Sequence, residues 1–168
     1  MTRILLAVND SPAGLAAART ALRFARASRG TVLAVHVLAE DPSASGAGGS
    51  GGAAGRSGRS GGSGGPSGSG GAAPVEPGPA AAASPERAAD ALLDYITELA
   101  KESDVPIETR RLAGRPAQVI LDQAARWEPD VIVLGRSGVR HVGQPFVGSQ
   151  VLHVIEFSDV PVLVVPAA

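Results

Sequence analysis

Short apolar runs alternate along the chain with segments in which apolar residues recur every three or four positions. The runs are typical of buried strands, and the spacing is typical of helices that bury one face. The predicted strands are residues 4–8, 31–38, 105–112, 131–134 and 162–165. A predicted helix lies between each strand and the next. The pattern therefore predicts five strands and four helices in alternation.

Local signals mark where the predicted helices begin. Ser11-Pro12 and Ser84-Pro85 each place a hydroxyl at the N-cap and a proline at the first helical position. Gly114-Arg115-Pro116 is a turn that leads into the third helix. The fourth helix, from Ser149 to Phe157, is predicted from the spacing of Leu152 and Ile155, with Ser149 as its N-cap.

Strands that alternate with helices and are apolar throughout indicate a parallel sheet covered by helices on both faces. The predicted fold class is α/β. We expect one domain over residues 1–168, built on a doubly wound, Rossmann-like sheet of five parallel strands. The order of the strands in the sheet does not follow from the pattern alone.

A low-complexity segment at about residues 42–84 interrupts the alternation. Residues 42–85 contain 15 Gly, 10 Ala, 9 Ser and 6 Pro, and Val75 is their one apolar side chain larger than Ala. Such a segment buries too little apolar surface to offset the entropy lost on ordering. We predict a disordered insertion within the domain, either a passive linker or a tethered segment for interaction or modification.

Composition excludes several classes of function. The formal net charge of the 168 residues is −1, so no basic excess indicates a nucleic-acid partner. The absence of Cys from the sequence excludes disulfide scaffolds and thiol chemistry. No apolar run approaches the roughly 18 residues of a membrane span, and the first run is too short for a signal peptide. We expect a cytoplasmic protein with no membrane and no nucleic-acid partner.

The candidate chemistry follows the fourth predicted strand. Gly135-Arg136-Ser137-Gly138 is separated by nine residues from Gly148-Ser149, which opens the last helix. Glycines allow a ligand to approach backbone N–H groups closely, and the start of a helix favours an anion. Arg136, Arg140 and His141 add cationic character to the same loop. This arrangement indicates a cradle for a polyphosphate.

Sequence motifs for catalysis are not found. Lys101 lies in no glycine-rich turn, so the P-loop pattern is absent. A GxGxxG match at Gly46, Gly48 and Gly51 lies within the low-complexity segment and no helix follows it. The sequence has no Ser-His-Asp order, no HExxH helix and no convincing carboxylate pair. Binding is better supported than catalysis, and whether the protein is an enzyme stays open.

The spacing Gly135-x2-Gly138-x9-Gly148-Ser149 resembles the ATP-binding signature of the universal stress protein family. Further segments outside the insertion resemble strands and turns of that family: residues 4–11, 114–116, 130–135 and 160–165. The resemblance implies the strand order 3-2-1-4-5. In such a sheet ligands bind where the strand order reverses, outside the carboxyl ends of the first and fourth strands.

The resemblance also implies a ligand, ATP with Mg²⁺ on its phosphates, and the residues around it. The adenosine side would be lined by Ala7, Val8, Asn9 and Val37. The ribose and the first phosphates would be held by Leu134, Gly135, Ser137 and Gly138, with Arg136 in the same turn. The outer phosphates would be held by Gly148, Ser149 and Gln150. The family commonly dimerises through its last strand, which implies a homodimer through residues 162–165.

Several positions depart from the family pattern, and one of them is Pro145 in the nine-residue loop. Asn9 stands where Asp is usual, Asp10 where Gly is usual, and Gln150 where a small or β-branched residue is usual. The expected function is that of an ATP-binding regulator or switch in a stress response, which acts on an unidentified protein partner. Two alternatives remain. One is a slow ATPase or autophosphorylating enzyme, with Ser137 or Ser149 as acceptor, and the other is a dimeric interaction module that binds no nucleotide.

Overall fold

The computed structural model describes residues 1–39, 84–136 and 147–167. Five strands and four helices alternate along these residues. The strands are β1 (Arg3–Ala7), β2 (Thr31–Ala39), β3 (Ile107–Gly114), β4 (Val131–Gly135) and β5 (Val162–Val165). The helices are α1 (Pro12–Ser28), α2 (Pro85–Glu102), α3 (Pro116–Trp127) and α4 (Ser149–Phe157). The predicted insertion lies outside the described residues except for Ser84, so it stays a prediction.

All pairings in the sheet are parallel, and the strand order is β3-β2-β1-β4-β5. The predicted doubly wound α/β fold and its strand order are therefore confirmed. At the carboxyl end of β1, Ala7 lies opposite Val35 of β2 on one side and Leu134 of β4 on the other. The chain leaves β1 and β4 at the point where the order reverses, and a crevice forms there.

The starts of α1 and α2 follow the chemistry that the sequence predicted. The Ser11 hydroxyl accepts a hydrogen bond of 3.0 Å from the Gly14 N–H, and the Ser84 hydroxyl accepts one of 3.4 Å from the Arg87 N–H. Each bond satisfies one of the N–H groups that the first turn of a helix leaves unpaired. These two caps fix where α1 and α2 begin.

One predicted strand starts later than expected, because its first residues complete a helix end. Asp104 adopts φ 54°, and its N–H donates to Lys101 O at 3.0 Å. The Val105 N–H donates to Ala100 O at 2.9 Å. These two bonds form the Schellman motif that closes α2. Val105 is buried as part of this turn, and β3 begins at Ile107.

Two apolar layers fill the space on the two faces of the sheet. On one face, Ile4 and Leu6 of β1 pack with α1 and α2. On the other face, Leu5 of β1 packs with α3 and α4. Fully burying a Leu or Ile side chain stabilises a fold by about 1.5–3 kcal/mol, so the alternation along β1 contributes to both layers. No helix in the described part of the chain is long and apolar enough to cross a membrane.

The buried face of α4 differs from the spacing that predicted the helix. Val151 and Val154 are buried, whereas Leu152 is 52% exposed and Ile155 is 47% exposed. The N-cap also differs. It is Gly148, with no side-chain cap bond, and Ser149 is the first helical residue. The helix therefore presents its smaller apolar side chains to the sheet and its larger ones to solvent.

Candidate functional site

A cavity of about 180 Å³ lies at the carboxyl ends of β1 and β4. Seven of the residues expected from the sequence line it: Ala7, Val8, Asn9, Val37, Leu134, Gly135 and Gln150. Five further lining residues were not expected: Val35, Pro116, Ile120, Val151 and Val154. The fold therefore brings the end of β1, the end of β4 and the start of α4 around one crevice.

Hydrogen bonds hold the turn between β1 and α1 in a fixed shape. The Ser11 hydroxyl lies 2.6 Å from Asn9 Oδ1, and the Ser11 N–H donates to the same oxygen at 3.4 Å. The Ser11 hydroxyl in turn accepts the Gly14 N–H. Asn9, at the edge of the cavity, is thus connected to the capped start of α1.

Two glycines allow the backbones around this turn to approach closely. A Cβ on Gly14 would lie 2.2 Å from Asn9 Oδ1 and 2.3 Å from Asn9 O. A Cβ on Gly135 would lie 2.6 Å from the carbonyl carbon of Ala13 and from the Gly14 nitrogen. All four distances are far shorter than van der Waals contact. The first glycine of the predicted phosphate loop is therefore also required for β4 to pack against the first turn of α1.

The end of β2 supports the same turn through a histidine. His36 Nδ1 lies 2.9 Å from Val8 O, and the Val8 N–H donates to Val35 O at 3.0 Å. Because a carbonyl oxygen only accepts, His36 donates from Nδ1. His36 thus contacts the backbone of Val8, a residue that lines the cavity.

The start of α4 borders the cavity, which Gln150 and Val151 line. Gly148 caps the helix without a side-chain bond, and Ser149 and Gln150 follow at exposed positions. Gln150 Oε1 accepts the Ala117 N–H at 3.1 Å. The N-cap of α3, Arg115, makes no side-chain cap bond, so Gln150 satisfies an N–H in the first turn of α3. One side chain thus connects the starts of two helices beside the cavity.

Arg136, Gly148 and Ser149 are expected residues that the structure describes but that do not line the cavity. The Arg136 N–H donates to Val165 O at 2.7 Å, which joins the end of β4 to the end of β5. Ser137 and Gly138 lie outside the described residues, as do Arg140 and His141. Gly148 and Ser149 lie at the start of α4, next to the lining residues Gln150 and Val151.

The described lining residues carry no ionisable side chain. Across residues 1–39, 84–136 and 147–167, no group of three or more His, Asp or Glu side chains is placed to hold a metal ion. Within the described part of the chain, the start of α4 borders the cavity, and the dipole of a helix favours an anion at that end.

Comparison with known proteins identifies relatives of one kind. The model of the universal stress protein family matches residues 1–60 and 64–166. The chain is 34% identical over 73 residues to universal stress protein Sll1388 of Synechocystis sp., a match that covers 44% of this chain and 47% of that protein. The chain matches less than half the length of the curated relatives it resembles.

Solved structures share the fold at low sequence identity. A universal stress protein in complex with cAMP has a TM-score of 0.64 and 17% identity over 99% of this chain and 98% of that one. An Arabidopsis thaliana universal stress protein family protein with AMP bound has a TM-score of 0.58 and 18% identity, over 100% and 93% of the two chains. The universal stress protein from Archaeoglobus fulgidus in complex with dAMP has a TM-score of 0.60 and 18% identity, over 98% of both. Together with the family match over nearly the whole chain, the fold places this protein in the universal stress protein family.

Proposed function

We propose that the protein binds an adenine nucleotide in the cavity between β1, β4 and α4, and that ATP is its ligand. The observation that carries the proposal is the position of the cavity. It lies where the strand order reverses, and the uncapped start of α4 borders it. Relatives of the same fold with cAMP, AMP and dAMP support adenine as the base.

Each side of the cavity suits one part of the nucleotide. Apolar walls at Ala7, Val8 and Val37 suit the flat base, and Asn9 lies beside them. Leu134 and Gly135 suit the ribose and first phosphates, together with Ser137 and Gly138 of the phosphate loop. The backbone at Gly148, Ser149 and Gln150 suits the outer phosphates, because the first N–H groups of a helix bind anions.

Mg²⁺ in this proposal is bound by the nucleotide rather than by the protein. Mg²⁺ retains several waters and commonly binds substrate phosphates. The described lining residues include no carboxylate that would hold it. The cation would then neutralise part of the phosphate charge, and the protein would contribute backbone N–H donors.

Calorimetric titration with ATP and Mg²⁺ tests the proposal. Gly148→Val places a branched side chain at the N-cap of α4, and we expect it to abolish saturable binding. Leu152→Ala is the matched control, because Leu152 lies on the same helix and is half exposed away from the cavity. Wild type that is folded and binds no adenine nucleotide would refute the proposal. Equal binding by wild type and Gly148→Val would show that the phosphates do not bind at the start of α4.

The regulatory part of the proposal is a switch in which ATP orders the loop between Gly138 and Gly148 and so changes a surface that a partner protein reads. Amide hydrogen exchange of this loop with and without ATP is the measurement. Increased protection supports the switch, and unchanged protection at saturating ATP refutes it.

We propose the cytoplasm as the site of action, which is consistent with a sequence that has no Cys.

The homodimer in this proposal forms through β5. This strand is at the edge of the sheet, and its Leu163 is 41% exposed. Apolar edge strands pair readily with a second chain. The side chains of Leu152, Ile155 and Phe157 of α4 are also apolar and exposed. Light scattering at several protein concentrations measures the oligomeric state.

A further inference from the structure

We infer that the exposed sides of α1 and α2 together form a docking surface for a second copy of this chain. This surface, the α1/α2 face, covers the side of the sheet opposite α3 and α4, so it is separate from the proposed nucleotide cavity. The inference goes beyond the proposed function and does not rest on nucleotide binding. It rests on a distribution of charge that is complementary to itself.

The two helices of this face carry opposite charges. α1 contains three arginines and no carboxylate, a net charge of +3. α2 contains five carboxylates and two cations, a net charge of −3. The three arginines of α1 are exposed, and no salt bridge joins them to a carboxylate of residues 1–39, 84–136 or 147–167. The α1/α2 face is therefore divided into a basic half and an acidic half.

A stripe of three exposed charges runs along each helix. The basic stripe of α1 is Arg19, Arg23 and Arg26, and the acidic stripe of α2 is Asp94, Glu98 and Glu102. Neighbours within a stripe are three or four residues apart, so each stripe follows one side of its helix. Lys101 donates to Glu98 at 2.7 Å, but this pair is exposed, and a carboxylate accepts more than one donor. The two stripes therefore match in spacing and are opposite in sign.

The arrangement of the two helices makes the face self-complementary. α1 and α2 each connect neighbouring parallel strands and pack on the same face of the sheet, so they lie side by side and run in the same direction. A half-turn about an axis that lies between the two helices and parallel to them places α1 of one copy opposite α2 of the other. The same rotation places α2 opposite α1. The basic stripe of each copy then meets the acidic stripe of its partner.

Apolar surface lies between the two stripes. A groove of about 570 Å³ is lined by residues of both helices, among them Leu22 of α1 and Leu99 of α2. Tyr95 precedes Leu99 by one turn on the same side of α2 and is 44% exposed. In the paired arrangement, Tyr95 of each copy lies beside the rotation axis. An aromatic contact at the centre with charged groups around it is typical of interfaces between proteins.

The acidic half of the face argues against a uniformly anionic partner. A nucleic acid or an anionic membrane that is attracted by α1 would also meet the acidic stripe of α2, whose repulsion opposes that attraction. A second copy matches both halves. Each exposed ion pair contributes little, so the contact is weak. Chains that cannot pair through β5 should be monomers when dilute and should pair through the α1/α2 face when concentrated.

Charge exchange tests this pairing. The background is Leu163→Glu, which removes the proposed β5 dimer. Sedimentation velocity at up to about 1 mM protein should show a monomer–dimer equilibrium. Arg23→Glu or Glu98→Arg should each weaken it about tenfold or more, because the symmetry places two like-charged pairs in the interface. An equimolar mixture of the two variants should associate as the background does, because each reversed charge then meets its opposite.

A control separates the face from net charge. Arg126→Glu changes the net charge as Arg23→Glu does, but it lies on α3, on the other side of the sheet. It should leave the association unchanged, and its mixture with Glu98→Arg should not recover any. In the wild-type chain, Arg23→Glu should limit assembly at high concentration to the β5 dimer. Circular dichroism establishes that each variant is folded.

A cross-link observes the contact directly. Tyr95 is the sole tyrosine in the sequence, so a photo-oxidative dityrosine link between two chains joins Tyr95 to Tyr95. The linked dimer should form in Leu163→Glu and should decrease when Arg23→Glu is added. Equal yields would overturn the inference, as would a mixture that associates no better than either variant alone. A Leu163→Glu protein that stays monomeric, and that binds anionic vesicles or DNA through Arg23, would assign α1 to an anionic partner and would also overturn it.

Discussion

Replacement of Gly14 by Ala tests whether helix propensity or tertiary packing decides the stability at this position. Gly14 lies in the first turn of α1. The helix-propensity scale for interior positions predicts that Ala in place of Gly stabilises a helix by about 1 kcal/mol. The structure predicts the opposite sign. The new Cβ would lie 2.2 Å from Asn9 Oδ1 and 2.3 Å from Asn9 O. The first atom belongs to a side chain that could rotate, but the second belongs to the backbone, so the start of α1 must move away from β1.

The expected cost follows from overpacking. Insertion of a methyl group into a well-packed region typically costs about 1–3 kcal/mol, and here the displaced group is backbone. At roughly 4 °C of Tm per kcal/mol for a domain of this size, the Tm should fall by about 4–12 °C. Because Asn9 and Val8 line the cavity, the affinity for ATP should also fall, by about tenfold for one or two disturbed contacts.

Gly30→Ala is the matched control. A Cβ there would lie 2.3 Å from Thr2 O, a clash of the same size with another backbone oxygen. Gly30 precedes β2 at the amino ends of the strands, whereas the proposed nucleotide site lies at the other end of the sheet. Circular dichroism melts and ATP titrations of both variants should show similar losses of Tm, and a loss of affinity in Gly14→Ala alone. A Gly14→Ala protein as stable as wild type would refute the packing argument. Equal loss of affinity in both would show that the Gly14 contact has no specific effect on the site.

Three further changes probe other contacts. Gln150→Leu removes the acceptor of the Ala117 N–H, and urea unfolding should show a loss of about 1 kcal/mol; no loss would mean that water replaces Gln150 at the start of α3. Leu163→Glu places a charge on the exposed edge strand, and light scattering should show a folded monomer where wild type is a dimer; an unchanged dimer would place the interface elsewhere. The pKa of Glu86 is lowered from 4.5 by its own backbone N–H, by Ser84 and by Arg111. The ionised Glu86 carboxylate therefore contributes to stability above pH 4.5, and this contribution is lost as the pH falls through the lowered pKa. Urea midpoints of Glu86→Gln should therefore fall less than those of wild type on acidification below pH 4.5, and parallel curves would contradict this.

The fold could be predicted well because its signals are local. Ser-Pro pairs set the starts of α1 and α2, and apolar runs set β1, β4 and β5. The predicted first residue of β3, Val105, was wrong, because this residue ends the preceding helix. Val105 is apolar and precedes an alternating run, but its N–H is required to close α2. Hydrophobicity alone does not distinguish a residue that ends a helix from one that starts a strand.

The lining of the cavity was predictable where strand ends form it and was missed where helix packing forms it. Once the strand order is known, the ends of β1 and β4 must meet, and this places Ala7, Asn9 and Gly135 together. Pro116 and Ile120 of α3 also line the cavity. Their place depends on how α3 lies against α4, and no spacing in the sequence describes that contact.

The orientation of α4 shows why such packing could not be read from periodicity. Val151 and Val154 are three residues apart, and so are Leu152 and Ile155, so either pair satisfies the spacing of a buried helical face. Transfer free energy favours burial of the larger pair. The structure buries the smaller pair. Gln150 of the same helix accepts the Ala117 N–H of α3, a contact that no periodicity describes. The same short helix therefore borders the cavity at Gln150 and Val151 and leaves Leu152 and Ile155 in solvent, and apolar spacing alone could not assign these two faces.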